Sequence, residues 1–147
     1  MLKLLKSKKI VVMFTAFLLL FSLVPAQAES TDDLVVIANK RFSADNLSLT
    51  EVKRIFKKEI TNFHGTRVKP IHARDGNALR QQFVNKVLGM NPSAEKKYWQ
   101  EMMVKKGMNP PSELTNTVRG VFSTPGAISY CFRKDFNPTT SKIVLSL

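Results

Sequence analysis

A run of fifteen uncharged, mostly apolar residues near the amino end constrains this chain most. The run is Ile10–Val24 (IVVMFTAFLLLFSLV); four lysines precede it, and Pro25 and the small residues Ala26 and Ala28 follow it. A basic segment, an apolar segment and a small-x-small site together are typical of a cleaved secretory signal peptide. The run is shorter than the ~20 residues that a membrane-spanning helix needs. We therefore predict a signal peptide over residues 1–28; an uncleaved N-terminal anchor is the alternative.

The predicted mature chain, residues 29–147, is small and basic. Removing residues 1–28 takes away four lysines and no acidic residue, so 119 residues remain with 19 Lys and Arg against 11 Asp and Glu, a net charge of +8. A chain of this size supports one modest core and one domain. The single cysteine, Cys131, excludes an intramolecular disulfide and a Cys-x-x-Cys motif. We expect it to be a buried structural thiol.

Local patterns predict the element order β-α-β-α-α-α-β-β. The predicted strands and helices are strands over 33–39, 67–73, 127–132 and 142–147, and helices over 49–58, 77–88, 92–106 and from 110 onward. Strands interleaved with helices in this way indicate an α/β domain with three layers, in which helices flank a mixed, mainly parallel sheet.

Particular residues support these assignments. Leu34–Ile37 is uninterrupted apolar sequence, as in a strand buried on both faces of a parallel sheet. Ser48 and Glu51 have capping-box spacing ahead of the first helix. Pro70 cannot donate to a strand ladder, so its strand is expected at a sheet edge or to end early.

Catalytic and metal-binding patterns are absent from the sequence. It contains neither G-x-S-x-G nor H-E-x-x-H, so we expect no catalytic residue, no metal site, no cofactor and no enzymatic activity. His64 and His72 are interpreted as exposed or satisfied polar residues. Trp99, Met102 and Met103, with Tyr98, are interpreted as the apolar face of the third helix.

The positive charge is interpreted mainly as solvated helix faces. Its basic residues are scattered over several predicted helices, whereas a nucleic-acid site concentrates them on one face with aromatic residues between them. Nucleic acid is therefore not an expected partner. Weak attraction to anionic envelope surfaces stays open as an alternative.

One segment between a predicted strand and a predicted helix is a candidate binding site. It reads RDGNALR, and a glycine-containing turn that opens a helix directs backbone N–H groups at one spot, where they favour an anion. Arg74 and Arg80 would add charge and forked hydrogen bonds. An ordinary capped helix flanked by arginines has the same pattern and is the alternative. The candidate ligand-binding residues are consecutive: Arg74, Asp75, Gly76, Asn77, Ala78, Leu79 and Arg80.

Four stretches resemble one protein family in order and spacing. They are LVVIAN (34–39), LSLTEVKRIFKKEITNFHGTRVKPI (47–71), the arginine–aspartate–glycine turn leading into LRQQFVNKVLG (79–89), and TPGAISY (124–130). Together they resemble the phosphate-binding subunits of bacterial ABC transporters, which belong to the type II periplasmic binding-protein superfamily. The resemblance covers nearly the whole mature chain, and it implies a periplasmic, non-enzymatic protein that binds phosphate or a similar oxyanion.

In that family the turn reads Arg-x-Asp-Gly-Ser-Gly-Thr, and its arginine, serine, glycine and threonine hold phosphate. Asp75 and Gly76 match this pattern, whereas Ala73 stands at the arginine position and Arg74 follows one residue late. Arg80 is the candidate substitute for the displaced arginine.

The rest of the turn departs further from the family. Asn77 and Ala78 replace Ser-Gly, and Leu79 replaces the threonine and offers no hydroxyl. Asn77 and the backbone amides are expected to donate in their place. Ser129 replaces the family's second glycine in TPGAISY, which is a mild change.

The length of the mature chain allows one lobe of the family's two-lobed receptors. One lobe forms half of a cleft, so the resemblance implies weak anion binding unless a partner or a second copy supplies the other wall. The expected partners are phosphate or a similar oxyanion, a membrane transporter or envelope protein, and a second copy of the chain. The alternative function is an envelope interaction module that keeps the fold and lacks the ligand.

Overall fold

A computed structural model of the protein describes residues 33–147, which form four α-helices and seven strands. The predicted signal peptide, residues 1–28, lies outside the described residues. The elements in chain order are β1 (Leu34–Asn39), α1 (Leu49–Phe56), β2 (Asn62–Phe63), β3 (Thr66–Arg67), β4 (Lys69–Ala73), α2 (Ala78–Phe83) continued by a π-helical turn (Val84–Leu88), α3 (Pro92–Lys106), β5 (Ser112–Leu114), α4 (Thr117–Ser123), β6 (Ala127–Phe132), a 3-10 turn (Arg133–Asp135) and β7 (Ser141–Ser146).

Five of the strands form one mixed sheet, in the order β5-β4-β6-β1-β7. Strand β4 pairs in parallel with β5 and β6, whereas β1 pairs antiparallel with β6 and β7. Four strands therefore run in one direction and β1 runs in the other. This confirms the predicted mixed, mainly parallel sheet. The short strands β2 and β3 form a separate hairpin.

Strand β1 is buried along its whole length, as its apolar sequence predicts. The expectation that such a strand pairs in parallel is wrong for β1, because both of its neighbours are antiparallel to it. Helices cover both faces of the sheet here, and that double cover, rather than strand direction, requires apolar residues on both faces.

Two apolar clusters separate the three layers. On one face, Phe56 of α1 and Phe83 of α2 pack with Tyr130 of β6; the Phe83 and Tyr130 rings stack with centroids 3.8 Å apart. On the other face, Val121 of α4 packs with Val35 of β1. Cys131 also lies in this second cluster, and burial raises the pKa of its thiol to about 12, as expected of a structural cysteine.

The helix ends follow their sequence signals. The Ser48 hydroxyl accepts from the Glu51 N–H at 3.2 Å, and the Glu51 carboxylate accepts from the Ser48 N–H at 2.7 Å, which completes the predicted capping box. Asn77 and Asn91 cap α2 and α3. Helix α3 ends at Gly107, which adopts a left-handed φ of 62° that glycine tolerates without strain.

The prediction of a helix directly after Pro110 is wrong. Ser112–Leu114 is instead β5, which pairs in parallel with the end of β4, and α4 starts later, after the Asn116 cap. The apolar side chains of Leu114 and Phe122 are 40% and 58% exposed, whereas an inward-facing helix side chain would be buried.

Helix α3 is less buried than its sequence suggests. Its buried residues are Glu95 and Trp99, while Met103 is 44% exposed. The predicted core role of Trp99 is confirmed, but an apolar face that includes Met103 is wrong. The helix therefore contacts the domain mainly through one carboxylate and one indole.

Pro70 lies inside an interior strand rather than at a sheet edge. It pairs with Ile128 of β6, and the pairing of β4 with β5 starts one residue later, at Ile71. The proline therefore precedes the segment in which a missing N–H would cost a ladder bond to β5. Within residues 33–147 there is no helix with the length and apolar character to cross a membrane.

Candidate functional site

The carboxyl ends of β4, β5 and β6 lie at one edge of the sheet, because these three strands are parallel. The loop Arg74–Asn77 follows β4 and opens α2, and the loop Thr115–Asn116 follows β5 and opens α4. In open α/β sheets, ligands bind in the crevice outside the carboxyl ends of the strands. We refer to residues 74–79 and 115–119 together as the mouth.

Two helix N-termini meet at the mouth. The Asn77 side-chain oxygen accepts from the Leu79 N–H at 2.8 Å, and the Asn116 side-chain oxygen accepts from the Arg119 N–H at 2.9 Å. The first-turn N–H groups of a helix have no carbonyl partner within the helix, and they carry its positive dipole end. Each cap satisfies one such group, so further amides remain at both helix starts.

Both helix N-termini line one cleft with a volume of about 720 Å³. Asn77 and Leu79 line it from α2, and Asn116, Val118 and Arg119 line it from α4. This volume is within the range of small-ligand pockets. The cleft therefore combines partial positive charge from two helices with one guanidinium group.

Two arginines give the mouth its formal positive charge. Arg74 and Arg119 are both exposed, and neither forms an ion pair within residues 33–147. Asp135 also lines the cleft and offsets part of this charge. Both guanidinium groups are therefore available to an anion, although water screens them.

Arg80, a ligand candidate from the sequence, is buried in an ion-pair network instead. It is 7% exposed, and its Nη1 donates to the Ala73 carbonyl oxygen at 3.0 Å and to the Glu113 carboxylate at 2.6 Å. Its Nη2 donates to the Glu95 carboxylate at 3.1 Å. The network fixes the end of β4 and ties α3 to the sheet, so the geometry makes Arg80 a positioning residue for the mouth.

A buried tyrosine–histidine pair extends this network. The Tyr130 hydroxyl accepts from the Ala73 N–H at 3.0 Å and lies 2.9 Å from His72 Nδ1. The hydroxyl therefore donates its own proton to Nδ1, and the neutral imidazole carries its proton on Nε2, which lies 3.5 Å from a Glu95 oxygen. Burial, with a smaller effect from Arg80, lowers the pKa of His72 to about 3. His72 is therefore buried, but only Nδ1 has a hydrogen-bond partner; Nε2 has none among the described residues, so the interpretation of His72 as a satisfied polar residue holds for one ring nitrogen only.

Four of the seven predicted ligand residues line two separate hollows. Asn77 and Leu79 line the cleft at the mouth, whereas Asp75 and Arg80 line a separate hollow of about 660 Å³ beneath α3. The Asp75 carboxylate accepts from the Gly76 N–H at 2.9 Å. The other members of the segment, Arg74, Gly76 and Ala78, are exposed and line neither hollow.

Sequence reasoning missed Asn116 and Arg119 as mouth residues. Their signal is an N-cap directly after a strand, the same signal that pointed to Asn77. The signal at Asn116 is masked because the sequence predicts a helix that already begins at residue 110. Among the described residues, no group of three or more His, Cys, Asp or Glu is arranged to hold a metal ion.

No family model and no curated protein sequence matches this chain. Its structure is similar to an ABC-type phosphate transport receptor from Vibrio cholerae, with a TM-score of 0.58 and 14% identity over 84% of this chain and 52% of the receptor. It is similar to PstS from Borrelia burgdorferi, with a TM-score of 0.59 and 14% identity over 77% of this chain and 46% of that one. The fold predicted from the sequence resemblance is confirmed.

A third similar structure contains bound phosphate. It is described as a phosphate ABC transporter substrate-binding protein from Clostridium perfringens, with a TM-score of 0.58 and 19% identity over 77% of this chain and 44% of that protein. The chain therefore spans about half the length of the receptors that it matches. The TM-scores establish a shared fold, and at identities of 14–19% they establish nothing about the ligand.

Proposed function

We propose that this chain is an exported, one-lobed anion-binding protein that takes phosphate or a similar oxyanion at the mouth. The observation that carries the proposal is the convergence of two helix N-termini on one cleft that Arg119 lines, with Arg74 exposed in the loop that opens α2. The fold shared with phosphate receptors supports this assignment. The signal-peptide pattern over residues 1–28 supports export, and the family resemblance supports a periplasmic location.

The proposed ligands differ from those that the family turn implies. Arg74 and Arg119 supply charge, while the Asn77 side-chain amide and the Ala78 N–H supply hydrogen bonds. Arg80 holds the β4 end in place through the Ala73 carbonyl, since both of its terminal nitrogens are already engaged. Leu79 lines the cleft, but its side chain cannot form a hydrogen bond with the anion.

A mouth on one lobe leaves the anion partly in water, so affinity should be low. We expect a dissociation constant of about 1 mM or weaker for inorganic phosphate at low salt, because exposed charges interact weakly in a high dielectric. A membrane transporter, an envelope protein or a second copy of the chain would raise the affinity by covering the open side.

Replacing Arg74 and Arg119 together with glutamine should weaken phosphate binding about tenfold or more. Each guanidinium group contributes a charge-assisted hydrogen bond and part of the local field. Isothermal titration with phosphate, and with sulfate as the comparison anion, measures the loss in the protein purified after expression of the full chain. The charge-matched control is Lys105→Gln with Lys106→Gln, which removes two positive charges from the exposed end of α3. Equal binding by both double variants would contradict the proposal.

A second candidate function is an interaction module without a ligand, and the exposure of Phe122 favours it. This side chain is 58% exposed and lines the same cleft, as an aromatic anchor of an interface would. Under this candidate, phosphate produces no heat at millimolar concentration. Self-association, or capture of an envelope protein, is then lost in Phe122→Ser and retained in Arg74→Gln/Arg119→Gln.

A further inference from the structure

A second cleft lies at the opposite edge of the sheet and is lined by three cationic side chains. It has a volume of about 480 Å³ and lies beside Lys69 and Ser112, the first residues of β4 and β5. Its charged lining residues are Lys58, Arg67 and Lys69, and none of the described residues that line it is Asp or Glu. The cleft extends along β5 to Leu114, the last residue of that strand, but it shares no lining residue with the cleft at the mouth.

The backbone directs two of these cations to the same side. Val68 is 6% exposed and lies between Arg67 and Lys69, both of which are exposed. Successive side chains of an extended segment alternate in direction, so residues 67 and 69 share the face opposite to Val68.

The segment that carries this pair is fixed by its neighbours. The Val68 N–H donates to the Thr61 carbonyl at 3.0 Å, and the Lys69 N–H donates to the Gly126 carbonyl at 2.9 Å. A Cβ added at Gly126 would lie 2.2 Å from the Arg67 carbonyl oxygen, which shows how closely the two backbones approach. The cationic pair therefore has a rigid base.

The third cation, Lys58, lies in the turn just after α1. The Lys58 Nζ donates to the Pro110 carbonyl at 3.3 Å, and this contact extends the side chain toward the loop that precedes β5. The adjacent acid, Glu59, pairs with Arg54 at 3.4 Å. Within residues 33–147, Lys58, Arg67 and Lys69 form no ion pair.

Three positive charges around one cleft repel one another unless an anion lies between them. A phosphate group suits this arrangement because it has up to two negative charges and three strong acceptor oxygens. The Arg67 guanidinium can bind two of these oxygens at once, and the two ammonium groups act as point charges. The hydroxyl-bearing residues Thr61, Ser112 and Thr124 also line the cleft.

We propose that this cationic cleft is a second anion site, which binds a phosphate-bearing group independently of the mouth. Free inorganic phosphate and the phosphate of an anionic lipid headgroup share the chemistry that the cleft recognises. The volume of the cleft is within the range of pockets for small ligands or single headgroups.

The test uses probes for both sources and a readout that separates the two sites. Inorganic phosphate is titrated into ¹⁵N-labelled protein, purified after expression of the full chain, and amide shifts are followed at Thr61, Val68 and Ser112 for the cleft and at Ala78 and Val118 for the mouth. In parallel, the protein is sedimented with phosphatidylglycerol-containing vesicles and with pure phosphatidylcholine vesicles. We expect saturable shifts at the cleft amides, or binding to the anionic vesicles that the neutral vesicles do not give.

Paired variants decide the outcome. Arg67→Gln/Lys69→Gln should weaken the cleft response about tenfold, whereas the charge-matched Lys105→Gln/Lys106→Gln and the mouth variant Arg74→Gln/Arg119→Gln should leave it within twofold. If Arg67→Gln/Lys69→Gln loses the phosphate-induced shifts, the ligand of the cleft is free phosphate. If this variant loses only vesicle binding, the ligand is a lipid headgroup. The proposal is overturned if neither probe gives a response at the cleft, or if the Lys105/Lys106 control loses the response equally. A response confined to Ala78 and Val118 would support the mouth and overturn the second site.

Discussion

Replacing Arg80 with methionine should lower the free energy of unfolding by about 3–5 kcal/mol, the cost of leaving a buried ion without its partner. Arg80 is 7% exposed and Glu95 is 4% exposed. The substitution leaves the Glu95 carboxylate buried, and it removes a donor from the Ala73 carbonyl oxygen. Urea unfolding followed by circular dichroism measures the loss. Arg74→Met, at an exposed arginine in the loop before α2, is the matched control and should change stability by no more than about 0.5 kcal/mol.

The double variant Arg80→Met/Glu95→Met separates the ion pair from general damage to the core. Removing both charges eliminates the uncompensated buried carboxylate, so the double variant should be more stable than Arg80→Met alone. If Arg80→Met cost less than about 1 kcal/mol, Arg80 would not be a structural residue, and its guanidinium would again be a candidate anion ligand.

Acidification from pH 7 to pH 5 should remove about 2 kcal/mol of stability through His72 alone. Burial lowers the pKa of His72 in the folded protein to about 3, whereas a histidine in the unfolded chain has its ordinary pKa of about 6.5. As the pH falls below about 6.5, the unfolded state takes up this proton and the folded state does not. Stability is therefore lost over the interval from about 6.5 down to about 3, with a limiting slope of about 1.4 kcal/mol per pH unit.

Comparing His72→Gln with His64→Gln isolates this contribution. Burial raises the pKa of the nearby Glu95, and proton uptake there opposes the histidine effect, so the difference in slope between variants is the quantity to measure. Chemical unfolding at pH 5, 6 and 7 should give a shallower pH dependence for His72→Gln than for the wild type. The exposed His64 lies in the turn of the β2–β3 hairpin, and its replacement should leave the slope unchanged. Parallel slopes for all three proteins would contradict a neutral, buried His72.

Elements with strong local signals could be predicted from the sequence. The apolar run of β1, the Ser48–Glu51 capping box and the Asn91–Pro92 start of α3 each specify an element through residues close together in the chain. Strand β5 could not be predicted in this way, because Ser112–Leu114 has three exposed residues and follows two prolines that suggest a helix start. Its pairing with β4 arises from tertiary contact, which local patterns do not encode.

The sequence predicts the position of the candidate site, but it predicts only some of the residues that form it. The glycine turn before α2 correctly indicated a helix N-terminus at a strand end. The role of Arg80 could not be predicted, because its partners Glu95 and Glu113 lie far along the chain. The contribution of α4 to the mouth was missed for the same reason as β5. Long-range pairing therefore explains both errors.

The position of β1 has a consequence for the order in which the domain folds. This strand is the first of the described chain, and its two sheet neighbours, β6 and β7, are the last two strands. Until Ala127–Ser146 has been synthesised, β1 has no ladder partner and its apolar side chains lack a finished core. Closing such distant contacts is slow, so we expect the pairing of β1 with β6 and β7 to be a late step in the folding of this domain.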